Sequence, residues 1–243
     1  MSAQFAIPAT TFVLRAILDA RLKAAYAPFQ PPKVSVEPPP RPPAPPSGNG
    51  QPILETAGLI LYMHHAGPNP TWRNMYDPHV DASGKPFRKA PLVLDLHYIL
   101  AAQGADLERE ALLGIGMSAF HRNGIVPRPM IQALLGAFPP PNNPQNLMDK
   151  LTGEPLHDPT SQPEQITISQ QPVDVDLSTK LWSALQSPIR PCANYLVTTV
   201  FLDTGEAFPV QPEVQSFVIA ARPVPDPDAN PAGDALLSTE EEP

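Results

Sequence analysis

A chain of 243 residues can hold one domain with a substantial core, together with tails. Its 36 prolines are incompatible with helix interiors and central strands, so the packed part must be smaller than the chain. The net charge of −8, from 16 Lys+Arg against 24 Asp+Glu, leaves no basic footprint for a phosphate backbone, and nucleic acid drops out as an expected partner.

The N-terminal apolar residues are interrupted by Arg15, Asp19 and Arg21, which the core of a signal peptide does not tolerate. No apolar run approaches the roughly 18 to 20 residues of a membrane span. A single cysteine, Cys192, allows no internal disulfide and suits a reducing compartment. The expectation is a soluble protein made in the cytoplasm, with no signal peptide, transmembrane segment or membrane insertion.

Residues 10–25 predict a first helix, with Leu14, Ile17, Leu18 and Leu22 on one face. Arg15, Asp19 and Lys23 are spaced to pair along another face, and Thr10 or Thr11 can cap the start after Pro8. Residues 28–52 carry eleven prolines and read as a stiff polyproline-like excursion ending in a Ser-Gly-Asn-Gly hinge. Residues 57–66 (AGLILYMHHA) have the profile of a buried strand, and a long polar loop over 67–91 follows. PLVLDLHYILAA at 91–102 alternates: Leu92, Leu94, Leu96, Tyr98 and Leu100 share one face, Asp95 and His97 the other with Val93 and Ile99.

A second helix starts at Asp106 as cap, has Glu108 and Glu110 in its first turn, and stops at Asn123-Gly124. Gly114 and Gly116 weaken it by roughly 1 kcal/mol each relative to Ala, which close packing on a sheet would offset. Residues 139–165 are proline- and asparagine-rich and read as loop. A strand at 165–171 and a short helix LSTKLWSALQ with Asp176 as cap come next, the helix carrying Leu177, Leu181, Ala184 and Leu185. ANYLVTTVFLD at 193–203 reads as a central strand and VQSFVIAA at 214–221 as a last one. The residues from Arg222 onward are acidic, proline-rich and expected to be disordered. The fold class is α/β (α+β): one mixed β-sheet with helices packed against it, a proline-rich loop and a disordered C-terminal tail. The division is 1–27 as the N-terminal helix of the core domain, 28–52 as the excursion, 53–221 as the core domain and 222–243 as the tail.

Catalytic constellations are not found. Gly114-Ile115-Gly116 lies inside a helix and lacks the third glycine of a phosphate loop. Cys192, between Pro191 and a strand, reads as a small residue at a strand entry rather than a nucleophile. His64 and His65 precede Asp77, His79 and Asp81, all of them metal-ligand types, yet neighbours on a strand point to opposite faces and the paired spacing of a metal helix is missing. Asp95 and His97, two apart on one strand face, read as a hydrogen-bonded structural pair. His121 sits where a helix dipole favours it. Trp182 can be core or interface. No catalytic residue, metal site or cofactor is expected.

Specific information comes from ordered motifs. Leu94 to Leu100 (LDLHYIL), the Leu112-Leu113-Gly114 step, Leu181 to Leu185 (LWSAL), Arg190-Pro191 and Tyr195 follow one another in a set order, with the first helix and Leu61-Tyr62 ahead of them. This arrangement resembles the cap, or tube-terminator, proteins of extracellular contractile injection systems, phage tail-terminator-like in role, over about two thirds of the chain. Cys192 stands where that family usually has serine and Ala101 where threonine is common, and the excursion is longer than typical. The resemblance implies a non-enzymatic structural cap, a six-fold ring of copies of the chain. Such a ring terminates the inner tube, secures the sheath at the distal end and contacts inner-tube and sheath proteins. It also implies assembly in the cytoplasm and release in a particle by lysis. Trp182 and Arg190, a large aromatic and a forked cation, are the candidates for an assembly interface. Two alternatives remain: a proline-rich adaptor presenting Pro39, Pro42 and Pro45, and a metal-dependent hydrolase built on His64, His79 and Asp81.

Overall fold

In chain order the computed structural model places α1 (Ala6–Tyr26), β1 (Lys33–Ser35), β2 (Gly58–Pro68), β3 (Leu92–Gln103), α2 (Glu108–Arg122), β4 (Ile125–Val126), α3 (Arg128–Gly136), β5 (Ile166–Gln171), α4 (Val175–Ala184) and β6 (Cys192–Leu202). It describes residues 4–41, 55–72, 91–137, 151–172 and 174–202. The segment 214–221, expected to be a strand, and the tail 222–243 lie outside the described residues, as do His79 and Asp81.

The six strands form one curled mixed sheet in the order β1-β2-β3-β6-β5-β4. Among the described residues only β1 and β2 run parallel; every other pairing is antiparallel. The strands with the strongest alternation and β-branched content, β3 and β6, are the middle pair. That is where a strand loses both edges to neighbours and both faces to packing.

One face is covered by α1, α2 and α3. The predicted stripe of α1, Leu14, Ile17, Leu18 and Leu22, is buried together with Ala6, Ala9 and Val13 against Leu94, Leu96, Tyr98, Leu100 and Ala102 of β3. The Tyr98 hydroxyl shares a 2.7 Å hydrogen bond with Thr11 Oγ1, a polar link across this otherwise apolar layer. α2 contributes Leu112, Gly116, Ala119 and Phe120, and α3 contributes Ile131 and Leu135. Close packing explains Gly116, where a Cβ would lie 3.0 Å from Leu100 Cδ2 and 3.2 Å from Leu59 Cδ1. It does not explain Gly114, which faces open space.

Several local expectations are corrected. Helix α1 begins at Ala6 with Pro8 in its first turn, where a missing N–H costs no hydrogen bond. Thr10 and Thr11 are therefore inside the helix and donate back to the carbonyls of Ala6 and Ile7 instead of capping. Asp106 has φ of 51° and makes no cap; α2 starts two residues later. Asp174, not Asp176, caps α4, accepting the Asp176 N–H at 3.0 Å. Leu92 is 50% exposed, since β3 reaches the margin of the core there. The predicted loop from 139 is preceded by helix α3, which pattern reading missed although Pro129 opens it and Ile131 and Leu135 are four apart. Within the proline-rich segment, Lys33–Ser35 forms an edge strand rather than a free polyproline run.

Candidate functional site

The opposite face of the sheet carries a smaller apolar cluster: Trp182 of α4 lies on Ile60, Ile99 and Ala101, flanked by Tyr62, Leu181 and Cys192. Trp182 is 1% exposed, so its indole belongs to the fold's own packing. The expected apolar face of α4 is displaced accordingly: Leu177 points outward and Trp182 is the residue buried. Burial pushes the Cys192 thiol up, opposed by the neighbouring Trp182 side chain, which leaves the sulfur a poor nucleophile at neutral pH.

Helix α4 ends at Ala184 with Leu185 as its C-cap, and the turn that follows puts Gln186 at φ of 52° before the chain enters Ser187, Pro188, Ile189 and Arg190. Arg190 is 5% exposed. Its Nη2 donates to Glu55 Oε1 at 2.6 Å and to the Pro40 carbonyl at 3.3 Å. Its Nε donates to Glu55 Oε2 at 3.4 Å, and its Nη1 to the Ser187 hydroxyl and to the Pro188 carbonyl. Ser187 Oγ donates in turn to the Pro40 carbonyl at 2.9 Å. A guanidinium taken out of water is tolerable only with its charge paired and its donors used, and Arg190 meets both conditions. Trp182 and Arg190 are therefore interior. A part for either in an assembly contact would run through the surface they support, which includes the exposed Val175, Leu177 and Ile189.

The histidines come together in a way the strand rule did not anticipate. A bulge between Met63 and His65 shifts the β2–β3 register, so His64 and His65 do not go to opposite sides. Their rings lie 6.0 and 5.2 Å from the ring of His97. Burial lowers the pKa of His64, with His97 and His65 adding to the effect. Burial also lowers that of His97, with His65 adding and Asp95 opposing. Asp95 is not bonded to His97; Asn69 Nδ2 donates to its carboxylate at 2.8 Å. Among the described residues no three potential ligands form an arrangement able to hold a metal ion. Pro39 is buried, which removes it from a ligand that would present Pro39, Pro42 and Pro45 together.

A cavity of about 420 Å³ lies beside the first half of α1, between Pro8 and Thr11 on one side and Val36, Met63 and Leu151 on the other. Among the described residues, no helix is long and apolar enough to cross a membrane.

Fold and site together define an α+β protein whose sheet is packed by three helices on one face and by the tryptophan of α4 on the other, with a buried arginine between α4 and β6. Residues 9–216 match the family described as the Pvc16 N-terminal domain, and the chain belongs to that family. No curated protein matches the chain. Among solved structures, it is similar to the PVC sheath/tube terminator of an extracellular contractile injection system in its extended state. The identity there is 15% and the TM-score 0.49, over 90% of this chain and 65% of that one. It is also similar to the tube-terminating cap of the anti-feeding prophage, at 12% identity and a TM-score of 0.43, over 86% of this chain and 60% of that one. The chain thus spans less than two thirds of the length of either.

Proposed function

We propose that this chain is a non-enzymatic cap that terminates the inner tube of a phage-tail-like contractile injection particle and secures the sheath there, acting as a ring of identical copies. The observation that carries this reading is the family match over residues 9–216, which runs through every described strand and helix from α1 onward except its first turn. The ordered motifs of β3, α2, α4 and β6 support it independently. Ending a polymer requires one face that copies a subunit's contacts and another that offers none. Net charge of −8 and 36 prolines suit the second task, because like charges repel and proline supplies no ladder donor. The partners are then inner-tube and sheath proteins. Assembly takes place in the cytoplasm, and release with the particle is by lysis.

Electron microscopy of particles from a strain lacking the gene tests the reading. Tube and sheath should still polymerise, with variable lengths and unsecured distal ends, and supplying the gene in trans should restore uniform particles. Particles of normal, uniform length with intact distal ends would sink it.

A further inference from the structure

Strands β1 and β2 are consecutive in the chain, adjacent in the sheet and parallel, with Lys33 opposite Gly58 and Ser35 opposite Ile60. A hairpin cannot join two parallel neighbours. The chain must reverse between the two strands, a task usually given to a helix. Here the return leaves at Val36 and re-enters through Glu55, Thr56 and Ala57, and the described part of it contains no helix. Eight prolines fall within residues 36–57, each removing an N–H with which the crossover could fasten itself.

The fastening comes from elsewhere in the chain. Pro40 on the outgoing limb and Glu55 on the returning limb are both held by Nη2 of Arg190, at 3.3 and 2.6 Å. Ser187 adds a second donor to the Pro40 carbonyl at 2.9 Å. One buried guanidinium, at the corner between α4 and β6, thus pins both limbs of a connection whose held points are fifteen residues apart. Strand β1 itself is three residues long, with Val34 its one buried apolar side chain. On the α1 side, the Val34 backbone N–H bonds to the Asp19 carboxylate.

We infer that Arg190, with Ser187 and Glu55, is a latch that ties Pro40 beyond β1 to Glu55 ahead of β2 and so keeps β1 in place on Gly58 to Ile60, the first residues of the β2 edge. Without β1, the first three residues of β2, Gly58 to Ile60, would present unpaired N–H and C=O groups to any other strand. A subunit that ends a polymer gains from an edge filled by its own chain, but the latch is a property of the fold whether or not that role holds.

Hydrogen exchange on the full-length protein, followed by mass spectrometry, tests it. Arg190→Met removes all the guanidinium donors while keeping a long side chain, and Glu55→Gln keeps the shape but weakens the pair. Amides of Lys33–Ser35, and those of Gly58–Ile60 that face β1 rather than β3, should exchange at least tenfold faster in Arg190→Met and by a smaller factor in Glu55→Gln. Amides in the β3–β6 ladder around Tyr98 and Tyr195 should keep their wild-type rates. Acceleration by one common factor across the whole sheet, or unchanged rates at β1 and β2, would overturn the latch. If Arg190→Met does not fold, Glu55→Gln and Ser187→Ala carry the same test with the same expected localisation.

Discussion

The carboxylate of Glu154 accepts the backbone N–H of Phe5 at 3.0 Å, tying the segment that leads into β5 to the residue that immediately precedes α1. Glu154 is 2% exposed, and burial pushes its carboxyl up to about 7 from an ordinary 4.5, against the pull of the Phe5 N–H. The folded state therefore holds this proton more tightly than the unfolded chain does. The stability it contributes is fully present below the ordinary value and is lost as pH rises through about 7. Replacing Glu154 by Gln should raise stability at pH 8 by about 1 to 3 kcal/mol and change little at pH 5. Urea unfolding of both proteins at the two pH values checks this, and an equal effect at both would refute it.

The two helix glycines should respond with opposite signs. Gly114 faces open space, so Gly114→Ala should stabilise the protein by about 1 kcal/mol through helix propensity. Gly116 is pressed against Leu100 and Leu59, both fully buried in the core, so an added methyl overpacks this contact and Gly116→Ala should destabilise despite the same propensity gain. Thermal unfolding of the pair decides it, and two shifts of the same sign would contradict the packing described.

These glycines also mark how far the sequence reaches. Strands β2, β3 and β6, and the stripe of α1, were legible because periodicity reports burial, and these elements are buried on a regular face. The close approach at Gly116 was legible in kind, while Gly114 offered the same signal without the cause. What escaped was set by contacts between distant segments. Strand β1 is three residues in a proline-rich stretch and exists because β2 lies beside it. Arg190 meets Pro40 and Glu55 across 150 and 135 residues, a relationship with no local pattern to betray it. The histidine cluster depends on a bulge, which breaks the very alternation used to separate His64 from His65.

Trp182 should matter far more to the fold than its place on a mostly exposed helix suggests. Trp182→Ala removes the residue that closes the second face over Ile60, Ile99 and Ala101, and should cost about 3 to 5 kcal/mol. Cys192, half-buried beside the indole, should at the same time become more reactive toward a thiol reagent. Denaturant midpoints and labelling rates measured under native conditions give the two readouts. A folded, fully stable Trp182→Ala protein would mean that the indole serves a partner and not the core.

The histidine cluster should oppose Glu154 in its pH dependence. His64 and His97 have pKa values lowered first by burial and then by the neighbouring rings, with Asp95 pulling His97 the other way. Their unfolded counterparts hold protons more tightly, so this contribution to stability is present above the ordinary value of 6.5 and declines as pH falls through it. In a Glu154→Gln background, where the opposing carboxyl is absent, the midpoint of thermal unfolding should drop as pH goes from 7.5 to 5.5. His65→Gln removes one charge that both rings feel, at a site that is itself exposed. It should move the titrations of His64 and His97 upward, though not fully to the ordinary value, because burial is the larger cause in each. Proton resonances of the imidazole rings followed across pH report the two residues separately. Titrations unmoved by His65→Gln would show that the three rings do not share a field, and that the bulge at Met63 brings them near one another without consequence.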